Sequence, residues 1–152
     1  LATLNNAHAA VLGAGGVARA TVIALQQLHC TTTIFNRTET RAQQLAQELS
    51  ADWAPWDQRG AFTGQLVVNC TSVGMTPHTD GTPFPENALR PDMTVLDTVY
   101  TPPITRLLAS AQRKGCRIAT GEEMFLGQAT RQFELWHGAQ PPENVMRAAL
   151  AK

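Results

Sequence analysis

Short apolar runs alternate with longer amphipathic stretches along almost the whole chain. Residues 8–12, His-Ala-Ala-Val-Leu, form an apolar run that stops at Gly13 and predicts a buried strand. Over residues 15–28, small and branched side chains recur at helical spacing (Val17, Ala20, Thr21, Ala24, Leu25, Leu28). Residues 31–35 are β-branched and aromatic and predict a second strand. Thr38 then offers an N-cap and Glu39 a first-turn carboxylate to a helix whose apolar face is Ala42, Leu45, Ala46 and Leu49. A short third strand fits 51–56, and 65–70 predicts a fourth. Residues 71–92 carry Gly74, Pro77, Gly81, Pro83, Pro85 and Pro91, which predicts a long loop with one helical turn near 86–89. A loop of that length in a small domain is usually functional. A fifth strand is expected over 93–99. Pro103 is placed at the start of a helix with Ile104, Leu107, Leu108 and Ala111 facing inward, ending at Gly115. A sixth strand follows over 116–120. Gly121 opens a helix over 122–137 that Gly138 closes, and a last helix runs from about Pro142 to Ala151.

Strands alternating with helices specify a parallel sheet with helices packed on it. The fold class is therefore α/β, a doubly wound, Rossmann-like, mostly parallel six-stranded sheet with helices on both faces. The 152 residues suit one such domain spanning 1–152. With 43% hydrophobic and 16% charged residues, the composition is that of a folded globular chain. Twelve basic residues balance twelve acidic ones, so no general attraction to nucleic acid or to an anionic membrane surface is expected. There is no basic-plus-apolar leader and no apolar run long enough to span a bilayer. Cys30, Cys70 and Cys116 are far apart and odd in number, and read as reduced, small hydrophobes of a cytoplasmic protein. The chain opens Leu1-Ala2-Thr3 without an initiator Met, and the expectation is a piece of a longer polypeptide.

The chemistry starts at Gly13-Ala14-Gly15-Gly16-Val17-Ala18, which fits G-x-G-x-x-A between a strand and a helix. The first glycine permits the tight turn, the second lets backbone approach a pyrophosphate, and the last small residue lets helix and strand pack closely. The helix start then presents free N–H groups and a partial positive charge to phosphates. The end of the second strand chooses the cofactor. An NAD site places a carboxylate there for the ribose 2′-hydroxyl. This chain has Asn36-Arg37-Thr38, with Arg41 one turn later. Arg37 and Arg41 can both meet a 2′-phosphate, and Thr38 can add a hydroxyl or an N–H, so the expected cofactor is NADP. At roughly 1.5–3 kcal/mol per charge-assisted bond, two such bonds give a preference on the order of a hundredfold. None of the four histidines has a Ser, Cys or acidic partner at motif spacing. They read as structural or solvated, and no metal site is expected.

With these residues named, the chain resembles the NADP-binding half of the shikimate dehydrogenase family from about His8 to Leu150. The resemblance is carried by G-A-G-G-V-A-R-A at 13–20, N-R-T-x-x-R at 36–41, V-N-C-T-S-V-G-M at 68–75, D-T-V-Y at 97–100 and G-E-E-M-F-L-G-Q-A at 121–129. Phe133, Trp136 and Gly138 follow in the same order. The wording of the 121–129 motif is nearest to forms fused to a dehydroquinate dehydratase. The resemblance implies roles residue by residue. Gly13, Ala14, Gly15, Gly16 and Val17 would hold the pyrophosphate. Asn36, Arg37, Thr38 and Arg41 would hold the adenosine phosphate end. Asn69, Thr71 and Ser72 would bound the ribose and nicotinamide, although Thr71 and Ser72 can equally bond their own loop. Thr98 matches a backbone contact to the nicotinamide, Gly121 would let backbone approach its carboxamide, and Met124 would pack on its ring or serve as core. Tyr100 and Gln128 match positions on the substrate side, against a half-buried aromatic and a surface residue as the bland alternatives.

The implied activity is reversible NADPH-dependent reduction of 3-dehydroshikimate to shikimate, in chorismate and aromatic amino-acid biosynthesis. In the family the proton transfer belongs to a Lys–Asp pair on a separate N-terminal substrate domain. This chain has only Lys114 and Lys152, and neither sits in a matching motif. No catalytic residue is therefore assigned. The small-molecule substrate is expected to be shared with that N-terminal domain, and the chain alone is expected to be inactive. Three alternatives remain: glutamyl-tRNA reductase, which shares the glycine loop and Asn-Arg-Thr; a quinate/shikimate dehydrogenase using NAD; and a non-catalytic regulator derived from the same pathway.

Overall fold

The structure, a computed structural model, describes residues 6–150; the expected end of the last helix at Ala151, and Lys152, lie outside them. Strand β1 (His8–Leu12) is its axis. The side chains of β1 alternate between two apolar layers: Ala9 and Val11 enter one, Ala10 and Leu12 the other. A strand buried on both faces needs no polar alternation, which is why the run reads as uniformly apolar.

Six strands pair in the order β3-β2-β1-β4-β5-β6, with β2 at Thr31–Asn36, β3 at Asp52–Pro55, β4 at Leu66–Asn69, β5 at Thr94–Asp97 and β6 at Arg117–Ala119. Every pairing is parallel. Helices α1 (Gly16–Gln27) and α2 (Glu39–Leu49) cover one face. There Ala18, Val22 and Leu25 meet Ala42, Leu45 and Ala46 over Val11, Ile34 and Val68. The chain changes face between β3 and β4, through a 3-10 turn at Trp56–Ala61. Helix α3 (Arg106–Arg113) covers the second face, where Leu107, Leu108 and Ala111 join Leu12, Phe35, Val67 and Val95. The crossovers thus turn opposite ways from β1 and from β4. The carboxyl ends of these two neighbours splay a crevice open, the place where open α/β sheets bind ligands. Helices α4 (Gly121–His137) and α5 (Glu143–Leu150) follow β6. On the α1 side, helix cover stops short of β5 and β6. It leaves an apolar groove of about 450 Å³ between Leu25 and Leu28 of α1, Leu66 and Leu96 of the sheet, and Met124 of α4.

The expected doubly wound sheet is present, and three details differ. Helix α3 begins at Arg106 rather than at Pro103, and Ile104 is exposed instead of facing inward. The cause is Thr105. Its hydroxyl accepts from the Leu108 N–H (3.3 Å), which caps the helix, and donates to Asp97 Oδ2 (2.6 Å), which ties that cap to β5. The strands at the far edge are also shorter than the apolar runs suggest. The 71–92 loop does make its turn at Glu86–Ala88, but it also drives Phe84 and Leu89 into the core, so it is packed rather than loose.

Asp97 is fully shielded from solvent and accepts three hydrogen bonds: from Asn69 Nδ2 (2.9 Å), the Val99 N–H (3.0 Å) and Thr105 Oγ1. Burial raises its pKa above the ordinary carboxylate value, and these three donors oppose the rise. Removing its carboxylate leaves buried donors without acceptors at about 1–3 kcal/mol each. Asp97→Ala is therefore expected to lose at least about 3 kcal/mol in urea unfolding, whereas Thr105→Ser, which keeps the hydroxyl, should lose under about 1.5. A loss below about 1 kcal/mol in Asp97→Ala would contradict this account of the β4–β5–α3 junction.

Candidate dinucleotide cleft at the carboxyl edge of the sheet

The turn after β1 is built from glycines with different tasks. Gly13 donates its N–H to the Phe35 carbonyl (2.7 Å) and holds φ +113°, a conformation that side-chain-bearing residues rarely adopt. A Cβ there would lie 2.9 Å from the Cys70 carbonyl oxygen and 3.2 Å from Thr71 Cγ2. Gly13 is thus the contact between the β1 turn and the end of β4. Gly15 and Gly16 face open space, with nothing within 4 Å of a Cβ at either. Gly15 is the N-cap of α1 and supplies no side-chain cap, and the first turn holds no acidic residue. The leading N–H groups of a twelve-residue helix therefore lack a side-chain acceptor and carry the positive end of its dipole. Val17 is exposed beside them.

At the end of β2, the Asn36 side chain donates to the Thr38 carbonyl (2.8 Å) and so shapes the turn. Arg37, Thr38 and Arg41 are exposed. Thr38 is the N-cap of α2, as expected, but its hydroxyl makes no capping bond and is left for another partner. Among the described residues, neither Arg37 nor Arg41 forms an ion pair, and Glu39 does not reach Arg41. The nearby carboxylate of Glu48 is taken by Arg19. Ala14 borders two hollows, one shared with Arg37 and the other with Arg41, so the two free cations flank the glycine turn.

The end of β4 closes the cleft. Asn69 is wholly buried: its Oδ1 accepts from the Thr71 N–H (3.0 Å) and Oγ1 (2.7 Å), and its Nδ2 serves Asp97 and the Val73 carbonyl. Every polar site on the Asn69 side chain is engaged inside the protein, which ties this strand end to β5 and to the loop after it. Thr71 Oγ1 also accepts from the Val73 N–H (3.1 Å), so the Thr71 hydroxyl bonds its own loop, the second of the two roles open to it. Ser72 is exposed. The resulting cleft holds about 200 Å³ and is lined by Gly13, Ala14, Gly15, Asn36, Arg37, Thr71 and Ser72, all singled out in the sequence. Trp56, Cys70 and Val73 line it too and were not. A signal for Trp56 existed: it follows β3 as Arg37 follows β2, and parallel strand ends share one edge. Cys70 lies 3.4 Å from Thr21 Oγ1, and burial pushes its thiol up to about 11.

The remaining sequence candidates gather elsewhere along the same edge, around the start of α4, and none of them lines this cleft. Thr98 donates its N–H to the Asn69 carbonyl (3.0 Å). Gly121 is buried, and a Cβ on it would collide with the Val99 and Thr98 carbonyls. Its missing side chain is required by the packing of α4 on the exit of β5. Thr120 caps α4 in a reciprocal box with Glu123. Met124 lines the apolar groove beside α1 rather than the glycine cleft. Tyr100 is half exposed, with its ring 5.1 Å from that of Phe125, and Gln128 is exposed on α4.

A parallel 3-2-1-4-5-6 sheet with a glycine turn at its switch point defines a Rossmann-type domain. Comparison with known proteins narrows this. Residues 1–59 match the family described as shikimate/quinate 5-dehydrogenase, and residues 121–151 match the shikimate 5′-dehydrogenase C-terminal domain. A shikimate dehydrogenase (NADP(+)) of Moorella thermoacetica is 40% identical over 94% of this chain and 52% of its own length. The chloroplastic bifunctional 3-dehydroquinate dehydratase/shikimate dehydrogenase of Arabidopsis thaliana is 35% identical over 93% of this chain and 24% of its own. The crystal structure of shikimate 5-dehydrogenase from Thermus thermophilus in complex with NADP(H) and shikimate superposes with a TM-score of 0.86 at 34% identity, over 96% of this chain and 55% of that one. By sequence and fold the chain is a relative of the shikimate dehydrogenases, corresponding to the part that bears their C-terminal domain. It spans about half the length of the single-function relatives it matches.

Two outcomes follow from the different settings of the glycines. Gly13→Ala should destabilise the chain by about 1–3 kcal/mol through strain and the clash at Cys70, while Gly15→Ala should stay within about 0.5 kcal/mol. Equal losses in thermal melts would refute the distinction. A thiol near 11 is roughly one part in a thousand ionised at pH 8. Alkylation of Cys70 in the folded chain at that pH should accordingly run about a hundredfold slower than in the unfolded chain, as mass spectrometry of the labelled peptide would show.

Proposed function

We propose that this chain is the NADP-binding domain of a shikimate dehydrogenase, serving the reversible reduction of 3-dehydroshikimate to shikimate in chorismate biosynthesis. The observation that carries the reading is Arg37. It stands unpaired at the end of β2, in the same cleft as the open glycine turn, where a carboxylate would be needed to select NAD. The residues fit the cofactor. Gly15 and Gly16 leave room for a pyrophosphate at the start of α1. Arg37, Arg41 and the uncommitted hydroxyl of Thr38 can meet a 2′-phosphate. The relatives named for NADP and shikimate support the same assignment.

When bound, NADPH supplies the hydride. The chain's own residues bind and orient. Asn69 acts indirectly by setting Thr71, and thereby the loop that walls the cleft. Thr98, Tyr100, Gly121, Met124 and Gln128 form the side toward nicotinamide and substrate in this reading. Tyr100 and Gln128 are placed to offer hydrogen bonds to a hydroxyl or carboxylate from the outside, since both are exposed. Among the described residues no lysine–aspartate pair lies on this edge. Lys114 caps the far end of α3, whose beginning is the end tied to Asp97. In this reading the proton is assigned to a substrate domain that shares the small-molecule substrate with this one. None of the described helices is long and apolar enough to cross a membrane. The net charge of zero supports neither a nucleic-acid nor a membrane partner. A reducing, cytoplasmic setting accords with Cys70 and Cys116, which are free thiols among the described residues.

Calorimetric titration tests the reading. NADP⁺ should bind on the order of a hundredfold more tightly than NAD⁺, and Arg37→Ala should remove most of that margin. Equal affinities in the parent chain would overturn the NADP assignment. The chain alone, given shikimate and NADP⁺, should reduce no nicotinamide above a buffer control. Turnover here would mean that a proton-transfer group lies within these 152 residues.

A further inference from the structure

Trp56 is the one aromatic side chain among the residues lining the glycine cleft, and nothing in the reading above gives it a task. The register of the sheet puts it there. Asn36 pairs with Pro55, so Arg37 and Trp56 leave the carboxyl edge side by side. The rest of the lining is backbone, small side chains and Arg37, a surface suited to phosphate and ribose. Trp56 adds the flat apolar element such a surface lacks.

The indole is also held in place. The Arg59 guanidinium carbon lies 4.2 Å from its ring centroid, within cation–π range. Arg59 cannot readily swing away, because it donates to the Trp56 carbonyl (2.6 Å) and the Pro83 carbonyl (2.7 Å). The ring further packs against the second-face core that contains Phe35 and Phe62. It is half-buried, neither sealed in the core nor loose on the surface. The cleft, of about 200 Å³, has room beside the indole for a flat ring system. Fixing an aromatic beside such a hollow lowers the ordering cost when a flat ligand group arrives.

We propose that Trp56 is the wall of a purine subsite: it contacts the adenine base of the bound nucleotide, while its neighbour Arg37 reads the 2′-phosphate. The proposal rests on the assignment of this cleft to NADP and divides its recognition into two separable parts. Trp56 supplies affinity common to every adenine nucleotide. Arg37 supplies the choice among them.

The test uses the chain as it is, with adenosine 2′,5′-bisphosphate, NADP⁺, NAD⁺ and nicotinamide mononucleotide as probes. Trp56→Ala should weaken the first three by a similar factor, about tenfold for a lost base–aromatic contact, and leave the NADP⁺/NAD⁺ ratio unchanged. Trp56→Phe should keep most of the affinity. Nicotinamide mononucleotide, which has no purine, should show no dependence on residue 56. A second measurement spares the residue itself. With Trp53→Phe and Trp136→Phe, Trp56 is the only indole left, and its emission should change on saturation with adenosine 2′,5′-bisphosphate. If the bisphosphate binds by calorimetry while that emission stays constant and Trp56→Ala binds like the parent, the purine wall is refuted and the NADP site stands. If the parent chain binds no adenine nucleotide, both assignments fall together.

Discussion

The backbone of Gly13 lies against the carbonyl of Cys70, and much of the molecule is arranged around that contact. It joins the exits of β1 and β4, the two strands from which the chain winds in opposite directions. The Cys70 N–H donates to the Leu12 carbonyl (2.8 Å), so the two exits are hydrogen-bonded just before they part. A side chain at position 13 would push the β1 turn away from the loop that forms the opposite wall. Because none is there, the start of α1 and the 71–73 loop come near enough to make a narrow polar cleft. The glycines that follow are then free to remain open toward a ligand.

A second constraint lies behind that wall. Asn69, Asp97 and Thr105 form a buried chain of hydrogen bonds from β4 through β5 to the cap of α3. Its near end reaches Thr71, and Thr71 in turn holds the Val73 N–H. The loop bordering the ligand is thus fixed from inside by groups that never face it. Thr98 and Gly121 extend the same logic toward α4, where close backbone packing on the exit of β5 sets the position of the second cluster. The glycine cleft and the cluster around the start of α4 thus occupy neighbouring but different parts of one sheet edge.

Much of this was legible in the sequence because periodicity and punctuation agree. The uniform apolarity of 9–12 marks a strand buried twice over, and Gly138 does end α4 in the left-handed conformation. The cleft was legible where a residue's type has one dominant use. Gly13, Gly15 and Arg37 all lie in it. It was not legible where one residue type has two uses that only the tertiary structure separates. Asn69 reads as a residue bounding the ligand by its position at a strand end, and the sequence does not show the internal bonds that engage its side chain. Gly121 reads as a glycine for a cofactor, and the sequence does not show that the Val99 and Thr98 carbonyls by themselves exclude a side chain there. Trp56 was legible only as the end of a short third strand, because the register that sets it beside Arg37 is a tertiary fact. Pro103 suggests a helix start that the stronger tie between Thr105 and Asp97 moves to Arg106.

The central claim is that one cleft, between the exits of β1 and β4 and extending to the end of β2, takes the nucleotide. A 16.4 kDa chain is well suited to amide NMR, and titration with NADP⁺ locates the site without mutation. The account requires the largest shifts at residues 13–17, 36–41, 56 and 70–73, smaller ones around 98, 121 and 124, and little change at Leu25, Leu28 and Leu66. Shifts concentrated instead at Leu25, Leu28 and Leu66, with residues 13–17 and 36–41 unmoved, would contradict it and move the binding site to the apolar groove.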